Sequence, residues 1–280
     1  MTVTVVTGSS TGIGYETALR LARDGHRVVA TMRNPDASDL ATVAKEQDLD
    51  LEVKSLDVNS DASVDELFRE VFATHGAVDV LVNNAGLGGN GGVVEETSLD
   101  EFRSVMETNF FGALRCTKAV LPSMRERETG CIVNVTSQAG RVAMPSMPAY
   151  CASKWALEAA SESLAVEVAP FGIRVVLVEP GMILTPIWTK VDVTPPTGPY
   201  APVRKRLGHT VVQEMVNGSQ ADVVADCIAE AIVAEPPRLR WLVGQGAERN
   251  IRNRSAMSDA EWIEIWTKAS NEEFNKLMSD

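Results

Sequence analysis

Six short runs rich in β-branched and aliphatic residues, at 2–7, 28–32, 51–56, 78–82, 131–135 and 173–178, are each followed by a stretch long enough to form a helix. Strands with so little polar alternation must be covered on both faces, and parallel neighbours need a crossover of a dozen or more residues between them. The spacing therefore argues against a hairpin meander and predicts a doubly wound parallel sheet, an α/β fold of the Rossmann kind. A further strand is expected at 240–243 after a helix over 220–234. A last amphipathic helix over 258–277 carries Trp262, Ile265, Trp266 and Ala269 along one face. Its opposite face is acidic, so the stripe reads as core or subunit contact before membrane anchor. The 280 residues are within reach of one domain, taken as 1–250, with 251–280 as a helical extension packed on it.

The first run, Thr2-Val-Thr-Val-Val-Thr7, breaks into Gly8-Ser-Ser-Thr-Gly12-Ile-Gly14 and then into an amphipathic stretch over 15–24. That order is strand, glycine-rich turn, helix. Glycines permit the sharp turn and let backbone approach a pyrophosphate, while the first amides of the helix and its dipole favour negative charge. Gly8, Ser10, Thr11, Gly12, Ile13 and Gly14 are accordingly read as a dinucleotide site.

Tyr150 and Lys154 stand four residues apart, the helical spacing that puts two side chains on one face, and Ser137 ends the run at 131–135. A free phenol titrates near pH 10, so proton transfer at neutral pH asks the site for about 4 kcal/mol in favour of phenolate. A neighbouring ammonium supplies part of it and a cationic cofactor ring could supply more. Ser137 would hold a substrate oxygen against the phenol. The Tyr/Lys pair by itself reads more readily as an interfacial tyrosine beside a solvated lysine, and the rest of the chain reverses that reading.

Taken with Leu56-Asp-Val58, Asn83-Asn-Ala-Gly86, Asn109 and Pro180-Gly181, these segments resemble the short-chain dehydrogenase/reductase family in order and spacing from residue 2 to about 190. Segments 30–33 and 157–165 look most like its hydroxysteroid and retinol dehydrogenase branch. The resemblance implies hydride transfer between a nicotinamide and a carbonyl or alcohol carbon, with Asn109, Ser137, Tyr150 and Lys154 as catalytic residues. It places Asn109 in a proton relay through its backbone carbonyl and a water. Asp57 and Val58 would meet the adenine, and Asn84, Ala85 and Gly86 the adenosine half. Lys154 would also hold the nicotinamide ribose, and Pro180, Gly181, Ile183 and Thr185 would close over the nicotinamide. Family members usually pair through helices here at about 99–126 and 150–169, so a homodimer or homotetramer is expected. Two other outcomes stay open: an epimerase or dehydratase of the same fold with retained cofactor, and a binding protein that senses NADP without turnover.

NAD preference needs a carboxylate at the end of the second strand, to accept from the adenosine ribose hydroxyls. Met32 and Arg33 stand there instead, although Asp36 and Asp39 follow closely. A guanidinium beside an uncharged residue suits the 2′-phosphate, so NADP(H) is expected over NAD(H), with Ser10 as a further contact. The proline-rich segment 183–216 reads as a substrate lid. Trp188 from this lid, with Val142, Met144 and Met147 between Ser137 and Tyr150, would line an apolar substrate pocket for a steroid, retinoid or similar bulky carbonyl compound.

Charge balance is −12, which disfavours nucleic acid as a partner. No apolar run is long enough to span a bilayer, and no export signal is apparent at the start, so a cytoplasmic enzyme without membrane insertion is expected. Cys116, Cys131, Cys151 and Cys227 are scattered, and His26, His75 and His209 share no ligand spacing, so no metal is expected. Asn134-Val-Thr136 matches a glycosylation acceptor in form only, because it falls inside a core strand.

Overall fold

The structure, a computed structural model, describes residues 1–190, 197–268 and 274. Strands β1 (Val3–Thr7), β2 (Arg27–Met32), β3 (Leu51–Ser55), β4 (Val80–Asn83), β5 (Gly130–Val135), β6 (Ile173–Pro180) and β7 (Arg240–Val243) form one parallel sheet. Their order is β3-β2-β1-β4-β5-β6-β7. The chain first winds outward from β1 to β3 and then restarts at β4 on the other side of β1. The order reverses between β1 and β4, and the connections leaving those two strands part to open a crevice beyond their carboxyl ends.

Both faces of the sheet are buried because successive residues of each strand point to opposite sides. Val6 joins the core formed with α1 (Gly12–Arg23) and α8 (Ala221–Val233), where Leu19, Leu21, Val224 and Ile228 pack. Its neighbour Val5 joins the core formed with α3 (Asp61–His75) and α5 (Ala113–Glu126), among Leu67, Phe68, Val120 and Met124. Each such side chain contributes about 1.5–3 kcal/mol of transfer free energy. Edge strand β3 is the exception: Glu52 and Lys54 alternate with Leu51 and Val53, and none of its residues is fully buried. Asn134 lies buried in β5, where its amide donates to Ser161 and its carbonyl accepts from Asn83, as expected for a core position. The first connections also include α2 (Leu40–Glu46), and α4 (Leu99–Met106) precedes α5. Long α6 (Pro148–Val168) follows β5.

The proline-rich segment 183–216, read as a substrate lid, contains a helix, α7 (Ala201–Val216). Pro202 sits in its first turn, where its missing N–H costs nothing. Pro195 and Pro196 lie outside the described residues. Beyond β7, α9 (Ala247–Ala256) spans the expected 250/251 boundary and buries both Asn250 and Ile251. Helix α10 (Asp259–Thr267) starts with a capping box formed by Ser258 and Glu261. Ile265 and Trp266 pack with Phe274 on Leu207 of α7, with Met144 and Met147 beside them, so this part of the apolar stripe is core. Ala269 and most of the remaining expected helix lie outside the described residues.

Candidate active site

The crevice holds a cavity of about 440 Å³, within the range that accepts small ligands. At one end lies the glycine turn. Gly8 and Gly12 adopt φ of +69° and +62°, conformations that side chains disfavour. A Cβ on Gly14 would stand 2.4 Å from Asn84 Nδ2 and from the Gly8 carbonyl oxygen. Asn84 explains this closeness: its amide donates to the Thr7 and Gly8 carbonyls at 2.9 and 3.0 Å. Thr7 Oγ1 accepts from the backbone of Asn84 and Ala85, both at 3.0 Å. The strand end that was expected to meet adenosine thus also clamps the turn, while Asn84, Ala85 and Gly86 still line the cavity. Thr11 precedes α1 without a side-chain cap, which leaves the first amides of that helix for a ligand. Open glycine backbone and these uncapped amides together fit a dinucleotide pyrophosphate.

Ser10, Thr11, Ile13, Arg33, Asp57 and Val58 reach the same cavity. Arg33 is exposed at the end of β2, next to buried Met32. Asp39, a carboxylate near this strand end, is exposed, and burial, helped by the Asp39 charge, pushes the Tyr15 phenol up to about 12. Asp57 accepts from the Asn59 backbone N–H at 3.0 Å, and its own backbone N–H donates to Ser63 Oγ. Among the described residues, Asp57 and Glu214 are the acids that line the cavity.

Ser137 follows β5 and accepts a hydrogen bond from the Ala139 N–H at 3.1 Å, which starts a short 3-10 turn over Gln138–Gly140. Gly140 lets this turn lie against α6: a Cβ there would meet Glu158 Cγ at 2.9 Å and the Lys154 carbonyl at 3.1 Å. The turn thereby sets the Ser137 hydroxyl beside the Tyr150 phenol, whose proton affinity it lowers, while that hydroxyl itself donates to the Pro180 carbonyl at 3.4 Å. Lys154 Nζ lies 5.8 Å from the centroid of the Tyr150 ring and donates to the Val135 carbonyl at 2.8 Å. All three side chains line the cavity.

Burial pushes the phenol up to about 12, and the neighbouring Ser137 hydroxyl offsets only part of that effect. Burial pulls the Lys154 ammonium down to about 8. In the protein alone burial outweighs the interactions that favour phenolate.

Asn109 is almost completely buried in a six-residue π-helical segment, Glu107–Gly112, between α4 and α5. Its side-chain oxygen accepts from Leu87 N–H at 2.7 Å, and its amide donates to the Leu87 carbonyl and Ser153 Oγ, both at 2.9 Å. The side chain braces the strand-four loop against α6, and Thr108, not Asn109, lines the cavity.

Pro180, Gly181, Ile183 and Thr185 form another wall. Gly181 is also required by packing, since a Cβ would fall 2.0 Å from the Gln245 carbonyl oxygen. Thr185 faces the glycine turn, with its Cγ2 3.2 Å from where a Cβ on Gly12 would be. Trp188 donates from its indole N–H to the Ile183 carbonyl at 2.9 Å and presents its ring to the cavity. Met144, Met147, Leu207 and Val211 complete the apolar end. Val142, expected among the substrate contacts, does not line it: its N–H bonds to the Gln138 carbonyl and its side chain is buried. The 3-10 turn after Ser137 rotates this residue inward. Gln138, Thr210 and Glu214 were missed by the sequence reading and do line the cavity.

Residues 2–195 match the family model for short chain dehydrogenase. An uncharacterized oxidoreductase, YusZ, of Bacillus subtilis is 33% identical over 275 residues, 95% of this chain and 97% of that protein. Retinol dehydrogenase 8 of Bos taurus is 40% identical over 256 residues, 84% of this chain and 79% of its own. Among solved structures, a short-chain dehydrogenase from Streptomyces avermitilis superposes with a TM-score of 0.82 at 34% identity, covering 94% of this chain and 95% of that one. An alcohol dehydrogenase from Thermococcus sibiricus complexed with 5-hydroxy-NADP gives 0.73 at 27% identity, over 88% and 97% of the two chains. A short chain dehydrogenase/reductase from Burkholderia phymatum in complex with NAD gives 0.78 at 25% identity, over 94% and 95%.

Proposed function

This chain belongs to the short chain dehydrogenase family, and from that premise we propose an NADP(H)-dependent oxidoreductase that interconverts a bulky, largely apolar carbonyl compound and its alcohol. The observation that carries this reading is the meeting of Ser137, Tyr150 and Lys154 with the glycine turn on one cavity. A bound nicotinamide would supply or accept the hydride. Ser137 polarises the substrate oxygen, and Tyr150 gives or takes the proton on that oxygen. Lys154 would hold the ribose hydroxyls of a bound nicotinamide coenzyme, and its charge, with that of an oxidised ring, would draw the phenol down from its resting value. Asn109 is a positioning residue that ties the loop after β4 to α6; the relay through its backbone carbonyl remains part of the proposal. Met144, Met147 and Trp188 form the apolar end, and the retinoid named for the bovine relative is a substrate of the class such a surface suits.

The preference for NADP(H) rests on Arg33 and uncharged Met32 lining the cavity at the end of β2, where Asp39 does not line it. Arg33→Ala should raise the KM for NADPH about tenfold, the worth of one exposed charge-assisted hydrogen bond, and leave that for NADH within twofold. Steady-state kinetics with both coenzymes tests this, and equal kcat/KM for NADPH and NADH in the unmodified protein would refute it. A homodimer through α4 to α6 belongs to the same proposal, because Leu99, Phe111, Trp155 and Val166 expose apolar surface there. No helix among the described residues is long and apolar enough to cross a membrane, and a cytoplasmic location completes the proposal.

A further inference from the structure

Three polar side chains from three elements meet at the apolar end of the cavity. Glu214 of α7, Asn250 of α9 and Gln138 after β5 are 9%, 5% and 4% exposed. Asn250 Nδ2 donates to Gln138 Oε1 at 2.9 Å and to Glu214 Oε1 at 3.1 Å. Arg249 donates to Glu214 Oε1 at 2.7 Å and, more weakly, to Asn250 Oδ1 at 3.3 Å.

The hydrogen-bond inventory fixes the direction of this chain. An ionised carboxylate can only accept, so the Asn250 group that meets Glu214 must be its NH2. The second hydrogen of that NH2 goes to Gln138, which must then present its oxygen to Asn250. Gln138 Nε2 is left as a donor and Glu214 Oε2 as an acceptor. Among the described residues neither atom has a hydrogen-bond partner, and neither is one of the sealed unpartnered polar atoms of the interior. Both side chains line the cavity. One donor and one acceptor, tied to the same Asn250 nitrogen, are therefore left open on a wall that Met144, Met147, Leu207 and Val211 make largely apolar and where the Thr210 hydroxyl already donates to the Arg206 carbonyl.

We propose that the substrate carries a hydroxyl group in addition to the reacting carbonyl, and that this hydroxyl accepts from Gln138 Nε2 and donates to Glu214 Oε2. A hydroxyl does both through a single oxygen. A second carbonyl or an ether would leave the carboxylate oxygen unpaired, and an ammonium would leave the amide N–H unpaired. Sites built to bond a hydroxyl reject analogues that lack it, because their own buried groups are then left without partners. Asn250 and Arg249 are positioning residues. This inference rests on the carbonyl reductase reading above.

The test uses matched ketones: a bicyclic decalone and a steroid D-ring ketone, each unsubstituted in the ring farthest from the carbonyl, hydroxylated there, or with a ring ether oxygen there. With NADPH, the unmodified protein should favour the hydroxylated member of at least one set by about tenfold or more in kcat/KM, mainly through KM. In Glu214→Gln the amide oxygen will stay with Arg249 and Asn250, so Nε2 becomes the free group and the site presents two donors. The hydroxyl-to-ether ratio should then fall at least tenfold. A purely structural role for the network would lower the melting temperature and slow all members equally. An unchanged ratio in Glu214→Gln, or equal kcat/KM across every set in the unmodified protein, overturns the inference while leaving the reductase reading intact. Failure to reduce any ketone overturns both.

Discussion

Tyr150→Phe should lower kcat by about three orders of magnitude and leave the Kd for NADPH within a few-fold. The ring stays in place, so packing in the pocket is conserved and only the proton donor is lost; positioned acid–base groups are commonly worth 10²–10⁴ in rate. The phenol's resting value near 12 sharpens the expectation. A group so far from neutrality keeps its proton across the working pH range, so ketone reduction always finds it protonated, whereas alcohol oxidation needs it lowered by the oxidised ring and Lys154. The pH dependence of the two directions should therefore differ, with oxidation rising toward alkaline pH and reduction staying nearly flat from about pH 6 to about pH 10. Stopped-flow kinetics on the variant, with fluorescence titration of NADPH, measures both parts. Retained turnover in Tyr150→Phe would mean that another group moves the proton.

Lys154→Met carries the second large effect, and activity and stability should move in opposite directions. Burial holds this ammonium near 8, below its ordinary 10.5. The folded chain then binds fewer protons than the unfolded one between those values, so stability rises with pH across that window and is lowest below it. At neutral pH the buried charge costs at most about 3 kcal/mol. Methionine has similar length and no charge, so the variant should melt a few degrees higher at pH 7 in the absence of coenzyme, the gain being reduced by loss of the bond to the Val135 carbonyl. Its kcat should fall by about 10²–10³, and its Kd for NADPH should rise about tenfold. Calorimetry at pH 7 and pH 10 checks the sign: the advantage of the variant shrinks at the higher pH. A lower melting temperature at pH 7 would show that Lys154 stabilises the chain by itself.

What could be read from the sequence was what is local along it. The apolar runs specify a sheet covered on both faces, and the glycine turn, Ser137, Tyr150 and Lys154 each end or follow one of those elements, so the topology brings them together. Features that depend on distant parts of the chain stayed hidden. Asn250 meets Gln138 across 112 positions and Glu214 across 36, and nothing in the motifs of α7 or α9 marks the pair. Val142 looked like a pocket residue from its place between Ser137 and Tyr150, but the 3-10 turn buries it elsewhere. The π-helical segment that aims Asn109 at Leu87 has no compositional signature either. The four-residue spacing of Tyr150 and Lys154 predicted their closeness correctly but gave no measure of burial, and burial is what sets both proton affinities.

The central claim is direct hydride transfer to a carbonyl held between Ser137 and Tyr150. NADPH deuterated at both C4 positions, incubated with the protein and a steroid or aliphatic ketone that it consumes, should give an alcohol with one deuterium on the new carbinol carbon by NMR. Alcohol without deuterium at that carbon, or NADPH bound without oxidation across the ketone panel, would contradict it.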